Sequence, residues 1–276
     1  MLKLLCIIVA AVSLAACQGK TAEVANSAAN ATASNVAANA AAASPAEQRV
    51  IIDSPDGVRL IGTFYVAERV NSPAVLLLHQ WQSDRHSYDE FAKRLQAKGF
   101  AVLSIDGRGF GESTKAVDGM TVPPDRSERS VRAMLGDVNA AFDYLGRQQD
   151  VDPTRMSIIG ASYGSSLAII YAADHPNVKA VALLSPGLNY FGNMPTEPAV
   201  KKYGERPLML VAASDDAESA DAVRELKTAS PNAEDKVYER GGHGTTLLQA
   251  GAGLDNLLET FLENVCGCDA PVPSGT

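Results

Sequence analysis

One serine in this chain has the neighbours that a nucleophilic serine needs. Ser162 is the central residue of Gly160-Ala161-Ser162-Tyr163-Gly164, between an apolar run and a stretch with helical spacing. Small residues at these positions allow a sharp turn from strand to helix, which presents the serine hydroxyl clear of the backbone. Because Gly-x-Ser-x-Gly also arises by chance, a structural glycine turn is the alternative interpretation.

A serine hydroxyl is a weak nucleophile near neutral pH, so it needs a base and an acid that orients the base. His243, in Gly-Gly-His-Gly, precedes the last predicted helix, which would place its imidazole at the same sheet edge as Ser162. Asp215 and Asp216 follow the preceding apolar run, and only one of them can point at the imidazole. The other would be a loop carboxylate that caps the next helix.

The other three histidines are interpreted as structural, because a catalytic triad uses one imidazole. His79 follows a buried strand, His86 begins a predicted helix and His175 ends one.

The elements that must position these residues follow an alternating pattern. Residues 49–53 and 58–66 flank Ser-Pro-Asp-Gly, which predicts an antiparallel hairpin. Short, unbroken apolar runs then predict strands covered on both faces at 74–79 and 100–106, and further strands are predicted at 156–160, 178–185 and 208–213, with a short last strand at 236–239. This pattern predicts an α/β fold with a doubly wound, mostly parallel sheet.

Helices are predicted between the strands. Tyr88, Phe91 and Leu95 have helical spacing before Gly99, and further helices are expected at 130–147, 162–174 and 217–229 and in one final segment after His243. About 20 residues separate the strands at 178–185 and 208–213, which is too few for a cap domain. We therefore expect one folded domain at 47–265.

Two further segments complete a family resemblance. Residues 106–113, Asp-Gly-Arg-Gly-Phe-Gly-Glu-Ser, and residues 151–155 before the serine motif resemble loops of α/β-hydrolases of the dienelactone-hydrolase and prolyl-oligopeptidase-like group. The resemblance covers nearly all of residues 50–262 and includes the chain order serine, acid, histidine. It implies an α/β-hydrolase fold without a large cap, and it favours Asp216 over Asp215 as the acid.

The same resemblance implies an oxyanion hole formed by the backbone N–H groups of Trp81 and Tyr163. The chain departs from the family here, because His79-Gln80-Trp81 replaces the usual His-Gly before the oxyanion residue. Gln80 cannot adopt a positive φ at the low cost that glycine allows, so the loop geometry is open. The Trp81 side chain is expected either to line the pocket or to pack in the core.

These residues predict a serine hydrolase that cleaves an ester, thioester or small amide of a small-molecule substrate through an acyl-enzyme, with no cofactor and no metal. A peptidase is the alternative, disfavoured because no propeller or large cap is present to select peptides. A catalytically silent binding module is a third possibility, against which the intact triad argues. Pocket walls are expected from residues 114–130 and 186–206.

Composition excludes other classes of partner. The chain has 276 residues, a formal net charge of −8 and a pI near 5.1, with no cluster of lysine and arginine. Nucleic-acid binding is therefore not expected, because it requires positive charge to neutralise phosphates.

The termini have their own signals. Residues 1–16 resemble a bacterial signal peptide, and Leu-Ala-Ala-Cys resembles a lipobox that ends at Cys17. We expect a lipid on Cys17, a flexible Ala/Asn/Ser tether at 17–46, and a location in the cell envelope, with lipid as the only membrane contact. In the predicted tail, 266–276, Cys266 and Cys268 could form a disulfide or remain exposed thiols.

Overall fold

A computed structural model describes residues 46–267. The signal peptide, Cys17, nearly all of the predicted tether, and Cys268 lie outside these described residues. None of the helices within residues 46–267 is long and apolar enough to span a bilayer.

The chain opens with the predicted hairpin. Strands β1 (Glu47–Asp53) and β2 (Val58–Tyr65) pair antiparallel in a register that places Ile51 opposite Ile61. The turn is closed by a hydrogen bond from Gly57 N–H to the Ser54 carbonyl, and Gly57 has a φ of 84°. Glycine suits this position because other residues adopt positive φ only with strain.

Within residues 46–267, nine strands form one sheet, in the order β1-β2-β4-β3-β6-β7-β10-β11 with β5 beside β2. The remaining members are β3 (Ser72–Leu78), β4 (Ala101–Ile105), β5 (Lys115–Ala116), β6 (Val151–Ala161), β7 (Val178–Leu184), β10 (Leu208–Ala213) and β11 (Glu234–Tyr238). From β4 to β11 all neighbouring strands in this order run parallel. The predicted doubly wound α/β sheet with an antiparallel N-terminal hairpin is confirmed.

Helices cover both faces of the sheet because alternate strand residues point to opposite sides. In β3, Leu76 packs in one core cluster with Val138 of α2 (Glu128–Gly146), whereas Leu77 packs in the other with Leu95 of α1 (Asp89–Ala97). The remaining helices are α3 (Tyr163–Asp174), α4 (Thr196–Tyr203), α5 (Ala217–Ala229), α6 (Thr246–Gln249) and α7 (Leu254–Cys266). The central strands are thus buried on both faces, as their unbroken apolar runs predict.

Several details of the C-terminal half differ from the sequence predictions. The final helix is two helices, α6 and α7, because Gly251 and Gly253 between them adopt φ values of 66° and 80°. Cys266 is buried at the end of α7, where its thiol lies 3.0 Å from the Ser157 hydroxyl, so an exposed thiol at this position was a wrong expectation. The segment between β7 and β10 contains β8 (Asn189–Tyr190), β9 (Met194–Pro195) and α4, none of which the sequence pattern predicted.

Candidate active site

Ser162 lies in a sharp turn between the end of β6 and the start of α3. Its backbone has φ 54° and ψ −124°, and its N–H donates to the Leu184 carbonyl at 2.8 Å. A positive φ in a residue other than glycine costs about 1–3 kcal/mol and persists only where the surrounding structure enforces it. The strained turn holds the hydroxyl at the carboxyl end of the central strand, where ligands bind in open α/β sheets.

The two glycines of the motif allow this turn because their backbones approach other backbone atoms closely. A Cβ atom on Gly160 would collide with the Gly164 carbonyl oxygen, and one on Gly164 would lie 2.6 Å from the Leu78 carbonyl oxygen. Any side chain at either position would therefore displace β3, β6 or α3.

The side chains of Ser162, His243 and Asp216 form one continuous hydrogen-bonded chain. The Ser162 Oγ atom lies 2.7 Å from His243 Nε2, and His243 Nδ1 lies 2.7 Å from Asp216 Oδ2. When the Nδ1 proton is donated to the carboxylate, Nε2 is left free to accept the serine proton. The His243 side chain is 45% exposed, so substrate and water can reach it.

Asp215 supports the same histidine loop through the backbone. Its two carboxylate oxygens accept from Gly241 N–H at 3.2 Å and from Gly242 N–H at 3.1 Å. These two hydrogen bonds lower the pKa of the Asp215 carboxyl below its usual value. The expectation that the second aspartate caps α5 was therefore wrong, since Asp215 binds the glycines that precede the histidine.

Two more side chains, which the sequence analysis missed, hold the other end of this loop. Ser185, a buried residue at the end of β7 with φ 47°, accepts from Gly244 N–H through its hydroxyl at 2.9 Å. Gln80 Oε1 accepts from the Thr245 N–H at 3.1 Å and from the Thr245 hydroxyl at 2.7 Å. A serine directly after a buried strand was the only sequence signal for Ser185, and Gln80 had none beyond its departure from the family pattern.

Trp81 follows β3 and Tyr163 is the first residue of α3, and their backbone N–H groups are the two that the family resemblance implies as oxyanion donors. Within residues 46–267 neither of these two N–H groups has a protein acceptor. Both N–H groups are therefore available to a further acceptor.

His79 fixes the peptide that carries the Trp81 N–H. His79 Nδ1 lies 2.7 Å from the Gln80 carbonyl oxygen, and Gly107 N–H donates to His79 Nε2 at 2.8 Å. Burial lowers the pKa of His79, in keeping with a neutral ring that donates from Nδ1 and accepts at Nε2. Because a trans peptide directs its C=O and N–H groups to opposite sides, this contact orients the Trp81 N–H away from His79.

The departure at Gln80 does not require strain at that residue. Gln80 is absent from the residues with positive φ, and Gln82 adopts φ 60° instead, two positions later in the loop. The side chain that replaces the family glycine is used for the contact with Thr245 described above.

Aromatic side chains form a wall beside Ser162. The half-buried Trp81 ring makes edge contacts with Phe110, Tyr163 and Phe191, at centroid distances of 4.7, 5.3 and 4.8 Å. Phe191 comes from the turn between β8 and β9, one of the predicted pocket loops. Trp81 thus lies at the site as well as against the core.

Tyr190, which precedes Phe191, contacts the residue that follows β7. Its hydroxyl donates to the Ser185 carbonyl at 2.9 Å. Burial raises the pKa of Tyr190, and nearby Ser162 and Ser219 hydroxyls oppose the increase. Tyr190 therefore joins the β8–β9 turn to the strand end that supports the histidine loop.

The two remaining histidines bind within their own segments. His86 Nδ1 lies 2.8 Å from Asp89 Oδ2, and the His175 ring stacks on Tyr171 at 3.8 Å. The structure therefore brings His243 to Ser162 and leaves His86 and His175 at the ends of helices.

The matching family is described as serine aminopeptidase, S33, and its sequence profile matches residues 71–213 of this chain, which include the serine motif and the strand before Asp215. The chain belongs to this family of hydrolases. It is therefore a member of the α/β-hydrolase superfamily, as the motifs and the sheet predicted.

Two curated relatives match about half of the chain. The chain is similar to an uncharacterized protein of Mycobacterium tuberculosis, 34% identical over 51% of this chain and 46% of that protein. It is also similar to the proline iminopeptidase of Lactobacillus helveticus, 30% identical over 46% of this chain and 40% of the enzyme. The chain thus spans about half the length of these curated relatives or less.

A solved structure shows the same fold over a larger region. An esterase of Pyrococcus furiosus superimposes with a TM-score of 0.63 over 80% of this chain and 91% of the esterase, at 18% sequence identity. At this identity the likeness shows the fold alone.

Proposed function

We propose that this chain is a serine hydrolase that cleaves an ester, thioester or small amide through an acyl-enzyme intermediate. The observation that carries the proposal is the hydrogen-bonded chain from Ser162 through His243 to Asp216, with both contacts at 2.7 Å. A serine, an imidazole and a carboxylate in this order are what activates a serine hydroxyl in unrelated hydrolases.

In the first half-reaction Ser162 Oγ attacks the substrate carbonyl carbon, and His243 Nε2 accepts the hydroxyl proton. The carbonyl oxygen becomes negative, and the N–H groups of Trp81 and Tyr163 stabilise that charge. His243 then donates its proton to the leaving group as the carbon–oxygen, carbon–sulfur or carbon–nitrogen bond breaks. Asp216 stabilises the transient imidazolium.

In the second half-reaction water releases the acyl group. His243 accepts a proton from the water as its oxygen attacks the acyl carbon. The proton returns to Ser162 Oγ when the ester bond to the enzyme breaks, and a carboxylic acid leaves. No cofactor takes part in either step of this mechanism.

Labelling with a fluorophosphonate probe tests the proposal. Wild type should be modified at Ser162, and Ser162→Ala should not react. Ser166→Ala in α3, four residues after Ser162, is a matched control, because its hydroxyl lies against Thr196 rather than His243 and the variant should still label. Absence of labelling and of ester hydrolysis in folded wild type would contradict the proposal and favour the silent binding module.

An aminopeptidase is the second candidate. The family description and the similarity to a proline iminopeptidase favour it. Rates on p-nitrophenyl esters of increasing chain length, measured beside a panel of aminoacyl amides, distinguish the two. A kcat/KM that is higher for the aminoacyl amides would assign the peptidase activity.

We also propose that the protein is a lipid-anchored lipoprotein of the bacterial cell envelope. The lipobox ending at Cys17 and the polar tether behind it support this proposal. Detergent partitioning and intact mass of protein from its native host test it. A Cys17→Ser variant that remains equally membrane-bound would overturn the anchor.

A further inference from the structure

The guanidinium group of Arg126 lies on the aromatic wall of the site. Its Cζ atom is 4.9 Å from the centroid of the Trp81 ring and 5.0 Å from that of Phe191. The two rings touch at 4.8 Å with their planes 66° apart, so the cation sits where both ring faces attract it. The Arg126 guanidinium group therefore packs against one ring from the segment after β3 and one ring from the β8–β9 turn.

The backbone carbonyl of Arg126 is hydrogen-bonded, whereas its guanidinium group contacts only aromatic rings in the described residues. Asn193 Nδ2 donates to the Arg126 carbonyl at 2.9 Å, which joins the loop before α2 to the segment after Phe191. The adjacent acid, Asp125, is engaged by Ser127, whose N–H and hydroxyl donate to it at 2.9 and 2.6 Å. Arg126 is exposed, and within residues 46–267 its guanidinium has neither a hydrogen-bond acceptor nor an ion-pair partner.

The chemistry of the proposed reaction places the acyl part of a substrate on the side away from His243. His243 must protonate the leaving group, so the leaving group has to face its Nε2 atom. The Trp81 ring contacts the Tyr163 ring, which directly follows Ser162 in the chain, and in the described part of the chain His243 makes no ring contact with the wall. An acyl group that extends away from His243 would lie along Trp81 and Phe191 toward Arg126.

We propose that Arg126 binds a carboxylate at the far end of the acyl chain, so that the substrate is a monoester or monothioester of a dicarboxylic acid. The inference rests on the proposed hydrolase function. Guanidinium binds carboxylate through two parallel N–H···O bonds, and the rings beneath it would contact the intervening methylene groups. In a protein of net charge −8, a cation at this position would offset the repulsion of an anionic substrate.

Two esters that differ by one charge test the proposal. The first is the p-nitrophenyl monoester of adipic acid and the second is p-nitrophenyl methyl adipate, in which the far carboxylate is a neutral methyl ester. The quantity measured is the ratio of kcat/KM for the acid to kcat/KM for the methyl ester. Wild type should prefer the acid, and Arg126→Gln should lower the ratio by about tenfold to a hundredfold, the range for a hydrogen bond to a charged group.

Two variants distinguish a specific contact between Arg126 and the carboxylate from a general effect of positive charge on the protein. Arg126→Lys keeps the charge but loses the planar fork, so its ratio should fall between those of wild type and Arg126→Gln. Arg129→Gln removes the same charge from an exposed position three residues away and should retain the wild-type ratio. Equal ratios for Arg126→Gln and wild type, or an equal loss in Arg129→Gln, would overturn the proposal.

A second pair of esters tests the acyl side. 4-Acetoxybenzoate carries its carboxylate on the leaving group, and methyl 4-acetoxybenzoate is its neutral counterpart. A preference that depends on Arg126 only in this pair would overturn the assignment to the acyl chain.

Hydrolysis of p-nitrophenyl methyl adipate by wild type but not by Ser162→Ala tests the proposed hydrolase function independently of Arg126. If that neutral ester is cleaved and the acid is not preferred, the inference about Arg126 fails while the hydrolase proposal stands.

Discussion

The Oε1 atom of Gln80 accepts two hydrogen bonds from Thr245, one from its N–H at 3.1 Å and one from its hydroxyl at 2.7 Å. Gln80 directly precedes Trp81, a proposed oxyanion donor, and Thr245 follows His243 by two residues. One side chain thus joins the loop that would stabilise negative charge to the loop that would carry the base. Glycine, which related hydrolases usually have at position 80, could not form this contact.

Replacing Gln80 should lower kcat more than it changes KM. Gln80→Met has a similar length but no acceptor, which leaves the buried hydroxyl of Thr245 unpaired and the histidine loop less restrained. We expect kcat to fall about tenfold, in line with the 1–3 kcal/mol cost of an unsatisfied buried polar group. Gln80→Glu keeps an acceptor and should retain most activity. Unchanged kcat in the folded methionine variant would show that the contact does not position His243.

The two neighbouring aspartates should differ in how they affect turnover. Asp216→Asn should lower kcat by about four orders of magnitude, because an amide neither holds the required tautomer nor stabilises the imidazolium. Asp215→Ala should lower kcat only by about tenfold, because Ser185 and Gln80 still hold the loop after the two glycine contacts are lost. Steady-state kinetics on one activated ester, with thermal unfolding to verify folding, gives the comparison. A dead Asp215 variant beside an active Asp216 variant would reverse the assignment.

The sheet and the meeting of Ser162 with His243 could be predicted because both depend on regular patterns. Unbroken apolar runs mark strands buried on two faces, and the carboxyl ends of parallel strands share one edge. Residues that directly follow such strands therefore lie near one another regardless of the conformation of the loops. Asp215 and Asp216 were brought to the same edge by this reasoning, but their division of labour depends on side-chain direction, which strand position alone does not give.

The wall of the site could not be predicted because it is built by loops without periodicity. Arg126 and Phe191 are 65 positions apart, and they meet only because the β8–β9 turn and the loop before α2 pack together. Ser185 adopts a positive φ, a conformation that a glycine usually indicates, so the residue type did not predict this turn. Gly251 and Gly253 indicate the break between α6 and α7. The apolar residues with helical spacing on both sides of these glycines favoured a single helix instead.

Gly164 should not tolerate even alanine. A Cβ atom there would lie 2.6 Å from the Leu78 carbonyl oxygen, and the neighbouring atoms belong to the backbone of β3, which cannot rotate away. We expect Gly164→Ala to lose about 1–3 kcal/mol of unfolding free energy, the usual cost of overpacking, and to label more slowly at Ser162. Gly119→Ala is a useful control because its strain comes only from φ, with no atom near the added Cβ. Wild-type labelling in a Gly164→Ala protein of normal stability would show that the elbow is less tightly packed than described.

Glu112 should make the stability of the protein depend on acid pH. Its carboxylate accepts from Arg49 at 2.8 Å and from Arg85 at 2.5 Å, and these two arginines lower the pKa of Glu112 from 4.5 to about 2. A carboxyl whose pKa is lower in the folded state contributes stability above its unfolded value and loses it as the pH falls through the folded value. Glu112→Gln should therefore unfold at lower urea concentration than wild type at pH 7, and the difference should shrink steadily below pH 4.5. The side chain is 48% exposed, so the difference at pH 7 should be modest and should decrease with added salt. Urea titrations of both proteins from pH 7 to pH 3 measure it, and a difference that stays constant over that range would show that the two ion pairs do not stabilise the fold.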